Sequence, residues 1–238
     1  MAQLPALLAA AASEGDASPF RIADRLLDHP DLPMLGCEHA HIAAGALMTA
    51  LRVAGVTGVT EAHLAEALER TAQQAVSAYC GLTGVCGVVP ALGACYSVLV
   101  GGQCGRGPET RAVMTLVSRL AAATAAEAEP GCCKAYVRVA LRETVGALKA
   151  DLGILLPDSE PVICAHPDRH PHGCRGPACE WHPGHTTISE ETHMSTTGPA
   201  AKARYDDFFS LAYADGALSA KSKILIALGA SLASGCAP

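Results

Sequence analysis

From the N-terminus to Gly153, apolar residues recur mostly at helical spacing, and no run alternates as a half-buried strand would. Leu4 to Ala12 predicts a short helix or frayed arm. "SPFRIADRLLDHP" predicts a helix with Ser18 as N-cap and Pro19 in its first position, ending before Pro30. "CEHAHIAAGALMTALRVAG" gathers Ile42, Leu47, Leu51 and Val53 on its apolar side and ends at Gly55. "TEAHLAEALERTAQQAVSAY" follows, with Thr60 as cap. "PETRAVMTLVSRLAAATAAEAE" and "CCKAYVRVALRETVGALKADLG" are two more amphipathic helices.

Two stretches break this rhythm. Thr71 to Gly105 holds no charged residue and is long enough to cross a bilayer, yet it contains Pro90, seven glycines and four cysteines. A lipid-facing backbone broken there would go unsatisfied, so a buried, cysteine-lined core segment is expected instead of a membrane span. From Leu156 the helical period fades into a Pro-, Gly-, His- and Cys-rich region, with a polar linker around Glu190 to Pro199. Helix then resumes, breaks near Asp215 and Gly216, and restarts after a Ser219 cap with Leu225, Ile226 and Leu228 on its apolar face. The expected fold is mainly α. N-terminal helices span 1–30, a helical cysteine-rich domain with an irregular Cys/His-rich metal-binding tail spans 31–186, a linker 187–200, and a partial C-terminal helical hairpin 201–238.

Composition narrows the function classes. Seventeen basic against 23 acidic residues give a net charge of −6, which supports neither nucleic-acid nor anionic-membrane binding. The N-terminus lacks the basic region of a signal peptide, so a cytoplasmic location is expected. There, eleven cysteines and ten histidines favour metal or redox chemistry over disulfides, which an odd count also fits poorly.

"CAHPDRHPHGCRGPACEWHPGH" is the densest cluster of candidate ligands. Cys164, Cys174 and Cys179 stand in a C-x9-C-x4-C pattern among His166, His170, His172, His182 and His185. Thiolate and imidazole on a short Pro/Gly-rich chain suit Zn²⁺ or an iron–sulfur cluster, although the spacing matches no standard finger or ferredoxin. The bland alternative is a loop with incidental cysteines. A second set comprises Cys37 with His41 (an i,i+4 pair on one helix face, with His39 pointing elsewhere), Cys80, Cys86, and Cys132 or Cys133. The last two lie at a helix N-terminus, where the dipole favours thiolate. Cys95 is expected in the core, His29 and His63 at caps or on the surface, His193 in the linker, and Lys134, Arg138, Arg142 and Glu143 on a solvated helix face.

The stretch "FFSLAYADGALSAKSKILIALGASLASGC" resembles the start of a carboxymuconolactone decarboxylase-like, or alkylhydroperoxidase-D-like, module. Phe208, Asp215, Gly216, Leu218, Lys221, Lys223, Leu225, Ile226 and Cys236 match that family's pattern, while Ile224 stands where the family has glutamate. The resemblance implies a redox-active C-x-x-C dithiol with Cys236 as its first, catalytic thiol, a thiol/disulfide redox partner and self-association. Pro238 falls one residue short of the second cysteine, and an in-frame UGA codon for selenocysteine after it is the expectation, against a frameshift, a trimmed sequence or a decayed gene. Residues 30–185, through "CEHAH", "YCGLTGVCG", "CCK" and the C-x9-C-x4-C tail, resemble a cysteine-rich domain of unknown function found beside such modules or methyltransferase-like proteins. That resemblance implies an iron–sulfur cluster or Zn and names no substrate. The expected function is a metal- or iron–sulfur-binding protein fused to the start of a thiol-redox module. The alternative is a non-enzymatic zinc-binding or metal-carrier module.

Overall fold

The computed structural model describes residues 3–158, 161–185, 207 and 210–233, giving the backbone alone for 228–233. The chain forms two compact units, 1–185 and 186–238. Among the described residues there is no β-strand, and no helix is long and apolar enough to cross a membrane.

The first unit is built from α1 (Leu4–Ser13), α2 (Pro19–Leu27), α3 (Glu38–Val53), α4 (Glu61–Gln74), α5 (Tyr79–Thr83), α6 (Val88–Val100), α7 (Gly107–Ala126) and α8 (Cys133–Leu152). Helix α3 is its axis. From Ala40 to Leu51 all but His41 are buried, and α1, α2, α4, α6 and α8 pack around it. An all-round apolar helix is what a central position requires. Small residues bring the neighbours close. A Cβ at Gly45 would lie 2.6 Å from Leu8 of α1, and one at Gly93 of α6 would lie 2.6 Å from Val117 of α7. Residues 1–30 thus belong to this unit, because α1 and α2 bury Leu4, Leu8, Phe20, Ile22 and Leu27 in its core.

Local sequence signals set several helix ends. Ser18 accepts a hydrogen bond from the Arg21 N–H, with Pro19 behind it. Thr60 and His63 cap α4 reciprocally. Asp16, buried just before α2, accepts from the Ser18 N–H at 2.9 Å and from Arg21, and pairs with Arg25.

Two expectations need correction. The charge-free stretch is only half core. Helix α4 stops at Gln74, Ala78 turns into the left-handed region at φ 63°, and 76–85 are exposed, whereas Val88 onward enters the core. Lys134 and Arg138 are not on a solvated face. They are 2% and 7% exposed, because α2 and the Cys/His-rich segment cover that side of α8.

In the second unit, residues 210–213 and α9 (Ala220–Ala233) are helical, joined by a turn. Asp215 accepts from the Ala220 N–H at 2.7 Å and Ser219 from the Ser222 N–H at 3.2 Å, which caps α9. Lys223 donates to the carbonyls of Ala212 and Ala214, closing the preceding helical end. Leu218, Leu225 and Ile226 are exposed. The linker around Glu190 to Pro199, His193, Phe208 and Cys236 lie outside the described residues, as does the side chain of Leu228.

Candidate metal centres

Cys132 occupies the N-cap of α8 in an extended conformation (φ −130°, ψ 113°) and Cys133 begins the helix. Successive side chains on an extended backbone face opposite ways. Each of these neighbours therefore joins a different group of cysteines.

Cys133 faces a cavity of about 530 Å³ whose wall also carries Cys37, Cys80 and Cys86, with His39, Ser77, Tyr136 and His172. Four remote parts of the chain meet there: the head of α3, the short α5, the turn before α6 and the head of α8. The sulfurs are supplied with donors. Ser77 donates its hydroxyl to Cys37 at 3.3 Å, the Val88 and Val89 N–H groups point at Cys86, and the Gly36 N–H at Cys133. Cys80 is the exposed member.

His39 is fully buried, with Nδ1 3.1 Å from the Gly36 carbonyl. A carbonyl only accepts, so the proton sits on Nδ1 and the Nε2 lone pair is bare; that buried nitrogen has no hydrogen-bond partner. Burial, with the Lys134 charge adding to it, lowers the His39 pKa to about 4 and keeps the ring neutral. The helical-face argument separated His39 from Cys37 and joined Cys37 to His41. Cys37 is the N-cap of α3, and it is His39 that lines the cavity with it. His41 instead has Nδ1 3.2 Å from the Cys37 carbonyl.

Cys132 faces the other way, with Cys164, Cys174 and Cys179, onto a small void of about 30 Å³ that Lys134, Arg138, His166, His170, His182 and Trp181 also line. Segment 161–185 has only two 3₁₀ turns, Pro167–Arg169 and Gly176–Ala178. Its ends meet where the Cys164 N–H donates to the Trp181 carbonyl at 2.6 Å. It is tied to the helices by the Arg142–Glu180, Arg175–Glu127 and His166–Asp28 pairs, and by Trp181 packed on Ala135 and Val139.

Burial outweighs the helix dipole at these thiols. It pushes Cys133 up to about 12 and Cys86 to about 11, raises Cys132 as well, and only partly yields to their N–H donors. The expected low thiolate pKa at the α8 N-terminus is therefore not found. A cation is what would allow such sulfurs to ionise together. Among the described residues, no three His, Cys, Asp or Glu side chains stand in coordinating geometry.

Among the described residues, Cys95 and Cys104 join neither set. Cys95 is core, its thiol 3.8 Å from the Ala44 carbonyl, and Cys104 is exposed in the turn before α7.

A family of unknown function, DUF5714, matches residues 8–182, a span that takes in both cysteine sets and none of the second unit. No curated protein and no solved structure matches the chain. With nearly three quarters of its length matched, the chain belongs to the DUF5714 family.

Proposed function

We propose that this protein is a cytoplasmic metal- or iron–sulfur-binding redox protein, with its first centre formed by Cys37, Cys80, Cys86 and Cys133. The observation that carries this reading is their meeting on one cavity wall from four separate parts of the chain. Core cysteines packing merely as small hydrophobes, as Cys95 does, have no reason to collect around a void. A cavity of about 530 Å³ leaves room for a cluster rather than a lone ion. An iron–sulfur cluster, when bound, supplies one-electron transfer. The chain's part is to present the sulfurs, offer N–H and hydroxyl donors to them, and hold His39 neutral with Nε2 bare.

The second unit fits a thiol-redox module, and Cys236 would exchange with a thiol/disulfide partner. Asp215 and Lys223, which match that family's pattern, close the turn before α9. The expected self-association of such modules belongs to this reading.

Anaerobic purification followed by visible spectroscopy and iron, sulfide and zinc analysis tests the proposal. Bound iron and sulfide with a charge-transfer chromophore, lost in Cys86→Ser and Cys133→Ser, is the expected result; a colourless protein without metal ends the reading. The second reading, a non-enzymatic zinc module or metal carrier, draws on the exposure of Cys80, a ligand reachable by an acceptor. It predicts stoichiometric zinc and no visible absorbance.

A further inference from the structure

We propose that Cys132, Cys164, Cys174 and Cys179 form a second, independent centre for a single tetrahedral ion of the zinc type, which pins the Cys/His-rich segment to the head of α8. This deepens the metal-binding reading, but the two centres differ in kind. The void between these four cysteines is about 30 Å³, against about 530 Å³ at the other set. About 10–15 Å³ suffices for one water-sized particle. The smaller void therefore suits one ion better than a multi-iron cluster.

The donors around the sulfurs suit anionic ligands. The His166 N–H donates to Cys164 and the Gly176 N–H to Cys174, each at 3.4 Å and each two residues beyond its cysteine. The Lys134 and Ala135 N–H groups point at Cys132, and the Arg175 side chain at Cys179. Such donors are the outer-shell support a metal thiolate needs. Of the histidines at the void, His166 pairs with Asp28, and Nδ1 of His170 and of His182 accepts from the backbone N–H of His172 and of Gly184, while the buried Nε2 of His170 has no hydrogen-bond partner.

Charge gives a separate argument. Four thiolates around a divalent ion leave a net charge of −2. Arg138 and Arg175 already pair with Asp24 and Glu127. Lys134 is buried and donates to the Leu27 carbonyl; Asp28 is the first negative charge acting on it, followed by Cys164 and Cys132. A buried ammonium is costly. The sulfur centre beside it adds to the negative charge of Asp28 in offsetting that cost.

The segment also needs a fastener. Of its large side chains only Trp181 is buried, at 8% exposure, against a small satellite cluster of Ala135 and Val139. A stretch with so little core is the kind that a structural Cys₄ zinc site holds together. Each thiol that binds the ion releases its proton to solvent.

Trp181 is the only tryptophan, so its emission reports on this segment alone. The full-length protein, stripped of metal and reduced, is titrated with Zn²⁺ and with Co²⁺, beside Cys174→Ser and Cys80→Ser. Both cysteines are exposed, so neither change disturbs packing. The expected result is one tight zinc equivalent that shifts Trp181 emission to the blue and gives a tetrathiolate Co²⁺ spectrum. Cys80→Ser retains all three signals. Cys174→Ser loses at least tenfold in zinc affinity and the emission response with helical content unchanged, and Cys174→His restores binding with an altered Co²⁺ spectrum. Unchanged zinc binding in Cys174→Ser, or a Trp181 response abolished by Cys80→Ser instead, overturns the second centre. Absence of an iron chromophore with this zinc equivalent intact refutes the first centre alone.

Discussion

Asp16 shows how much one buried side chain does in this protein. Burial pulls its pKa upward, but hydrogen bonds from Arg21, the Ser18 N–H and Arg25 outweigh that and hold it below the usual carboxylate value. A depressed carboxylate contributes stability that is present above the unfolded value near 3.8 and lost as pH falls through the lower folded one. Asp16→Asn should cost about 1–2 kcal/mol at neutral pH, since it weakens pairs with two half-exposed arginines. Denaturant titrations should show the gap to wild type closing in strong acid; a gap that widens there contradicts the assignment. Cys95, which touches only core, gives the opposite case: Cys95→Ala should leave metal content unchanged while lowering the denaturation midpoint slightly. At this scale the sequence was legible wherever a signal is local, as at Ser18 and the Thr60–His63 box. It misplaced Lys134 and Arg138 on a solvated face. A 3.6-residue period marks them as polar positions of α8 but cannot tell that α2 and a distant loop close over them. His39 was missed for a related reason, because the cavity wall it shares with Cys37 is made by α5, the turn before α6 and the head of α8, all remote in sequence.

Helices α3, α6 and α8 carry the rest. The head of α3 supplies Cys37 and His39 to the wall of the larger cavity, and α8 divides Cys132 from Cys133 by its extended N-cap. Leu47→Ala, at a fully buried α3 position, should cost about 2–5 kcal/mol in equilibrium unfolding. Gly45→Val drives a side chain into Leu8, so α1 should lose its seat. Limited proteolysis should then release the N-terminal segment faster than from wild type, while protection equal to wild type refutes that packing. Helix existence was readable from apolar spacing; the exposed excursion over 76–85 was not. A run without charge reads as core, but glycines and the left-handed Ala78 carry this one outward so that Cys80 reaches the cavity rim.

Across the whole molecule, the two sets explain why cysteines so scattered in sequence belong to one family domain. Spacing alone offered a C-x9-C-x4-C triplet and an unresolved choice between Cys132 and Cys133. Only the fold assigns Cys133 to the group of Cys37, Cys80 and Cys86, and supplies Cys132 as the fourth member of the triplet. Buried thiols with raised pKa values bind metal by losing protons, so metal affinity should fall as pH is lowered, read by competition with a chromophoric chelator of known pH dependence. The most direct test is metal and sulfide analysis of anaerobically purified wild type, Cys133→Ser and Cys132→Ser, neighbours in the chain that face different cavities. The account predicts that Cys133→Ser loses iron and sulfide but keeps zinc, and that Cys132→Ser loses zinc but keeps iron and sulfide. Wild-type protein free of metal, or two variants with the same loss, would contradict it.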